Sequence, residues 1–197
     1  MSGEEPAQPV LEKGKDLPKW KETKPPLSFA EKEDSDTLSF TEENTKISWT
    51  KPVSLAWVPA KCTQKLYGGK FSLDFDVDAK DGQIGIGFML SWNIGVDWGF
   101  YGYLGASSSA WSYDPSSGDV VTQTESIEGG LNTLKGPGIV HLDLDLPLSA
   151  VGTAMFTVNG KSSNPIPLPE SSVVVIAACL LRQNQEVTLT NFKSKPY

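Results

Sequence analysis

GIVHLDLDLPLSAVGTAMFTVNGK, residues 138–161, is the stretch whose reading decides the fold. Its first half alternates strictly, with Val140, Leu142, Leu144 and Leu146 on one side and Ile139, His141, Asp143 and Asp145 on the other. A period of two is the mark of a half-buried β-strand, because successive side chains point to opposite faces. Ala154, Phe156 and Val158 repeat the pattern, and Asn159-Gly160 supplies the residues of a type I′ hairpin turn. The stretch reads as strand, loop, strand, turn. It carries no catalytic signature.

Working outward, 197 residues suffice for one substantial domain with a large core. The net charge of −7 and pI near 4.8 argue against nucleic acid or an anionic membrane as partner. No run of apolar residues approaches the roughly 18 of a membrane span. The opening MSGEEPAQPV has neither the basic start nor the apolar core of a signal peptide. Cys62 and Cys179, far apart and each beside apolar residues, are expected buried and reduced. These features imply an intracellular, cytoplasmic protein.

Residues 1–35 differ from the rest. They hold 8 Asp/Glu, 6 Lys/Arg and five prolines, and their apolar residues show no period. This composition predicts a disordered or extended tail. Leu17, Trp20, Leu27 and Phe29 offer the other reading, a segment that docks on the domain or a partner. A domain is expected over 36–193, with 194–197 as a short end.

From Asp36 onward the sequence reads strand after strand. Leu38 and Phe40 begin the pattern, then Ile47 and Trp49, then Val53, Leu55 and Trp57. GGKFSLDFDVDAKDGQIGIGFML (68–90) reads as a long hairpin turning at Asp81-Gly82, with Gly85 and Gly87 marking close backbone approach. SSAWSYD and DVVTQT form a pair joined by the turn 114–119. Residues 125–137 read as a loop and 165–169 as a Pro-rich connector. A fully apolar strand follows at Val173–Leu181, then a last alternating strand at 186–192. There is no 3.6-residue periodicity and no internal repeat. Many short strands with turn signals between them predict an all-β antiparallel sandwich.

The order of these features resembles the SPRY (B30.2-type) domain. GGKFSLDFDVDAKDGQIGIGF (68–88), GFYGYLGASSSAWSYDPSSGD (99–119), HLDLDLPLSAVGTAMFTVNGK (141–161) and EVTLTNF (186–192) each resemble a family segment, in the family's order. There are departures. Phe75 and Asp76 stand where the family usually has Trp and Glu, and LPLSAVGT lengthens the loop before Phe156. Gly136-Pro137-Gly138-Ile139 replaces an acidic segment. The resemblance, over roughly 36–193, implies a bent two-sheet sandwich of concanavalin-like jelly-roll architecture. It also implies a non-catalytic module, binding a partner protein or peptide through loops at one end.

Three constellations bear on chemistry. Asp74, Asp76 and Asp78 share one strand face, the pattern a glycoside hydrolase would use. All three are Asp rather than the longer Glu, which reaches across a strand more easily. His141, Asp143 and Asp145 share another face, where zinc or iron would find too few ligands and calcium would need loop carbonyls, as in some lectins. His141 has only acidic neighbours along its strand, so no serine or cysteine is expected to draw on it as a base. No catalytic residue, cofactor or metal is therefore assigned. The third constellation is Trp92, Trp98, Phe100 and Tyr101, crowded with Tyr103 between glycines. A Gly-hinged loop buries so many aromatics with difficulty, and exposed Trp and Tyr anchor interfaces. These four are the expected partner-binding residues of a monomer. A lectin whose aromatics stack on sugar rings is the alternative, and a hydrolase using the strand carboxylates the second.

Overall fold

A computed structural model describes residues 27–30, 37–50, 57–80, 84–91, 104, 109–122 and 125–197. Along the chain run β1 (Leu38–Thr41), β2 (Lys46–Trp49), β3 (Val58–Leu66), β4 (Gly69–Asp78) and β5 (Ile84–Leu90). There follow β6 (Ala110–Asp114), β7 (Asp119–Thr122), β8 (Glu125–Glu128), β9 (Pro137–Leu146) and β10 (Val151–Val158). The remaining strands are β11 (Lys161–Ser162), β12 (Ile166–Glu170), β13 (Val174–Leu180) and β14 (Glu186–Pro196). No α-helix occurs among the described residues.

The alternating apolar residues sort these strands into two antiparallel sheets. The larger has the order β1-β2-β14-β4-β9-β10, with β11 and β12 both along the far edge of β10. The smaller is β3-β13-β5-β6-β7-β8. Leu73, Phe75, Val77, Val140, Leu142, Phe156 and Val187 face inward from the large sheet, and Ile86, Phe88, Tyr113 and Ile176 from the small one. Phe88 stacks on Trp111 and Phe156, with ring centroids 5.3 and 6.2 Å apart. Together they form the antiparallel β-sandwich that the alternation predicts.

The 138–161 stretch folds as read. Strands β9 and β10 pair in register from Asp145↔Thr153 to Val140↔Val158. Asn159 (φ 48°) and Gly160 (φ 76°) both take the left-handed conformation that a two-residue type I′ turn requires. The 114–119 turn likewise joins β6 to β7, with Asp114 opposite Asp119.

Other expectations change. Residues 68–90 are not a hairpin, because β4 pairs with β9 and β14 while β5 pairs with β6 and β13. Their apolar faces do meet, but across the sandwich rather than side by side. The segment 125–137 is not all loop, since Glu125–Glu128 pairs with β7. The Pro-rich connector is strand β12, where Ile166 and Leu168 are buried and Pro167 and Pro169 face outward. On an edge strand the missing proline N–H costs no ladder bond. The last strand runs through Pro196, beyond the boundary drawn at 193, with Lys193–Pro196 paired to Ser72–Gly69.

Residues 27–30, on the tail side of the boundary drawn at 36, belong to the sandwich. Leu27 and Phe29 are buried in the main core. Ala30 N donates to Lys61 O and Thr63 N to Ser28 O along the edge of the small sheet, while Phe29 N donates to Asn44 O in the β1–β2 turn of the large one. Leu17, Trp20, Val53, Leu55 and the Asp81-Gly82 turn lie outside the described residues.

Candidate functional site

Trp92, Trp98, Phe100 and Tyr101 lie outside the described residues, as does Tyr103. The residues that flank them along the chain are described. Leu90 N donates to Ser109 O at 2.8 Å, and Ser91 N to Val173 O at 2.8 Å, so the segment leaves β5 and rejoins β6 at one end of the small sheet. Leu104, from within it, is fully buried against Met89, Ala110, Val175, Ala177 and Cys179, on the outer side of that sheet. Its N–H donates to Cys179 Sγ at 3.4 Å. Strands β5 and β13 are therefore buried on both faces, the reason their sequences are unbroken apolar or glycine runs. Burial pushes both thiols up, Cys179 to about 12, so neither is a nucleophile at neutral pH.

The same end carries three large exposed apolar side chains. Tyr67 comes from the β3–β4 turn, Leu148 from the lengthened β9–β10 connection, and Val151 from the start of β10. The two connections touch, since a Cβ on Gly68 would lie 3.0 Å from the Leu148 side chain. Ser171, in the β12–β13 turn next to the Val173 that holds Ser91, donates to Leu148 O at 2.7 Å. Exposed apolar side chains gathered on adjoining loops mark interaction surfaces more often than isolated ones do. Sequence reasoning missed these three. The available signal was the lengthened loop, with Leu148 and Val151 where no strand alternation calls for apolar residues.

On the outer face of the large sheet, the two acidic triplets meet at one end only, Asp74 with His141, and run apart from there. Antiparallel register sets Asp74 opposite His141, Ser72 opposite Asp143 and Lys70 opposite Asp145. His141 Nδ1 lies 2.5 Å from Asp74 Oδ1, and Nε2 lies 3.2 Å from Asp143 Oδ1. Asn191, at φ 52° where β14 shifts register, donates from Nδ2 to Asp74 Oδ2 at 2.7 Å. Partial burial pushes the Asp74 carboxyl up. Hydrogen bonds from Asn191 and His141, with the charges of His141 and Lys193, outweigh it and hold Asp74 below the usual carboxylate range. For His141, partial burial works to lower the value, but Asp74 and Asp143 raise it above the ordinary 6.5.

This geometry bears on each expectation. The acid of a glycoside hydrolase needs a raised pKa, and Asp74 has a lowered one. Asp78 is paired to Lys80 and Asp145 to Lys70. Among the described residues no three His, Cys, Asp or Glu side chains gather in an arrangement that could hold a metal ion. The two ring nitrogens of His141 point to different carboxylates, which no single ion could share. One neighbour of His141 was not expected. Ser72 Oγ lies 3.3 Å from His141 Nε2, so a serine does stand beside the histidine. The strand neighbours of His141 are acidic, as read, but the serine arrives from β4, which only the register reveals.

Two antiparallel sheets in these strand orders form a β-sandwich of the kind that solved SPRY domains share. Solved structures agree. The chain is similar to a human SPRY domain (TM-score 0.60, 15% identity, covering 78% of this chain and 94% of that one). It is similar to the PSpry domain of TRIM65 (TM-score 0.60, 12% identity, 85% and 93%) and to the SPRY domain of human HERC1 (TM-score 0.57, 15% identity, 83% and 98%). The sequence itself matches no protein-family model and no curated protein. The fold is a SPRY-type β-sandwich.

Proposed function

We propose that this domain is a protein-interaction module whose partner seats on the loop end, with Trp92, Trp98, Phe100 and Tyr101 as anchors. Tyr67, Leu148 and Val151 extend that surface. One observation carries the reading: the chain leaves β5 for the aromatic segment at the end where those three apolar side chains stand exposed. The likeness to SPRY domains supports an interaction role in general terms. Buried, unreactive thiols are compatible with a cytoplasmic setting.

The test is a pair of measurements on Trp98→Ala and on Val151→Asp. At an interface, truncating a Trp commonly costs 2 kcal/mol or more of binding, on the order of thirtyfold in affinity. Both variants should keep the melting temperature within a few degrees and lose capture of a partner from lysate. Unfolding of Trp98→Ala would assign that side chain to the core, and binding to a glycan array instead of protein would favour the lectin reading.

A further inference from the structure

The outer face of the large sheet holds a constellation to which the loop-end reading gives no role and on which that reading does not depend. Ser72 and Asp74 project from β4 two residues apart. His141 stands opposite Asp74 on β9, diagonal to Ser72, and an imidazole can span such a diagonal. The contacts run in one order: Ser72 Oγ to His141 Nε2 at 3.3 Å, His141 Nδ1 to Asp74 Oδ1 at 2.5 Å, and Asp74 Oδ2 to Asn191 Nδ2 at 2.7 Å. Hydroxyl, imidazole and carboxylate linked in that sequence make a nucleophile, its base and the group that orients the base. Such a triad is recognised by geometry, not by chain order.

Ser72 also opens onto a groove of roughly 450 Å³, within the size range of small-molecule sites. Lys70, Lys193 and Lys195 line it together with Asp143 and Asp145, Lys70 being paired to Asp145 at 2.8 Å, and Met155 and Pro165 supply apolar lining. Lys193 is the register partner of Ser72 on β14, so its ammonium can reach an oxygen bonded to a carbon at Ser72 Oγ.

We propose that Ser72, His141 and Asp74 form an acyl-transfer site that hydrolyses small esters bearing an anionic group. Ser72 Oγ attacks the ester carbonyl, and its proton passes to His141 Nε2. The ester C–O bond breaks, the leaving alkoxide takes that proton, and acyl-Ser72 remains. Water, giving a proton to the same nitrogen, attacks the acyl group, and the proton returns to Ser72 Oγ as the carboxylic acid leaves. Asp74 is a positioning residue, holding the Nδ1–H tautomer and facing the transient imidazolium. Lys193 and Lys195 draw the anionic group of the substrate, and Lys193, beside Ser72, faces the developing oxyanion.

Asp143 acts as a brake. Its Oδ1 is 3.2 Å from Nε2, so it binds the protonated ring and keeps it from serving as a base. The charged groups facing His141 are Asp74 on β4 and Asp143 on its own strand, Lys193 on β14 acts on Asp74, and the register neighbour of His141 on β10 is the neutral Thr157. The two carboxylates raise the imidazole pKa, so reactivity should climb as pH rises through that raised value.

The experiment uses the full chain with a fluorophosphonate probe and with 4-nitrophenyl hemisuccinate. The expected result is labelling of the Ser72 peptide, read by mass spectrometry, and sustained ester turnover beyond the equivalents that the 16 lysines and the N-terminal amine could consume by acylation. Ser72→Ala should abolish both, and His141→Gln should slow both about a hundredfold or more, the usual worth of a positioned base. Asp143→Asn should move the pH rise downward and speed labelling at pH 7 several-fold, and Asp76→Asn should change nothing. The chain has a single histidine, so a titration in this range that His141→Gln removes belongs to it. Absence of the Ser72 label, or a label and turnover indifferent to His141→Gln in a variant that keeps its melting temperature, would overturn the proposal.

Discussion

Gly87 shows how sharply one position is fixed. A Cβ there would lie 2.0 Å from the carbonyl oxygen of Trp111 and 3.2 Å from Ser112 Cα, both backbone atoms of the paired strand β6. Nothing flexible can yield, so Gly87→Ala must push β5 from β6. A loss of about 1–3 kcal/mol, the typical cost of overpacking, is expected in chemical denaturation. His141 and Asp74 make a different prediction. A raised histidine pKa stabilises the fold fully below the unfolded value of 6.5, and this is lost as pH rises through the folded value. A lowered carboxyl pKa stabilises above the unfolded value of 3.8, and this is lost as pH falls through the folded one. Both describe one pair, which is therefore strongest between about pH 4 and 6.5. His141 is 34% exposed, so solvent screening limits the effect to about 1 kcal/mol. The stability gap between the protein and His141→Asn should be widest in that window and should narrow above it.

Among the elements, the short arm at residues 27–30 ties the two sheets together. It bonds to Lys61 and Thr63 on one sheet and to Asn44 on the other, and buries Leu27 and Phe29 between them. Removing residues 1–26 should leave the melting temperature within a few degrees. Phe29→Ala should cost about 3–5 kcal/mol, the range for a buried aromatic, measurable by denaturant midpoint. The arm also shows why part of the fold escaped the sequence. Alternation in β4, β9 and β10 names the buried face directly, and Asn159-Gly160 names its turn. Leu27-Ser28-Phe29 alternates too, but over three residues within a charged, Pro-rich stretch, and composition outweighed it. Strand β12 was hidden the same way, because prolines that rule out a central strand are compatible with an edge. Which strands pair was hidden altogether. Period two tells which side chains face the core, yet β4 and β5 meet the same core from opposite sheets. The Ser72–His141 contact needs that register, so it could not be read from residues 69 positions apart.

For the whole molecule, the order of the large sheet sets a condition. Strand β14 lies between β2 and β4, paired with β2 over Glu186–Thr188 and with β4 from Glu186 to Pro196, and β13 lies between β3 and β5. Both sheets are thus completed at their interior by the last strands of the domain rather than at an edge. A chain ending before Glu186 leaves β2 and β4 without a common partner, and Val77, Phe75 and Ile47 without the cover of Val187 and Leu189. Such a chain should show no cooperative unfolding transition in calorimetry. The condition has a temporal side. A ribosome making this domain releases β1 through β12 before either sheet can close, so the nascent chain passes through a period with two rows of unpaired backbone groups and an uncovered apolar face. Pairings so distant along the chain form in milliseconds to seconds rather than microseconds. During synthesis, then, this domain depends on whatever shields open strand edges until β13 and β14 have emerged, and it folds all at once when they do.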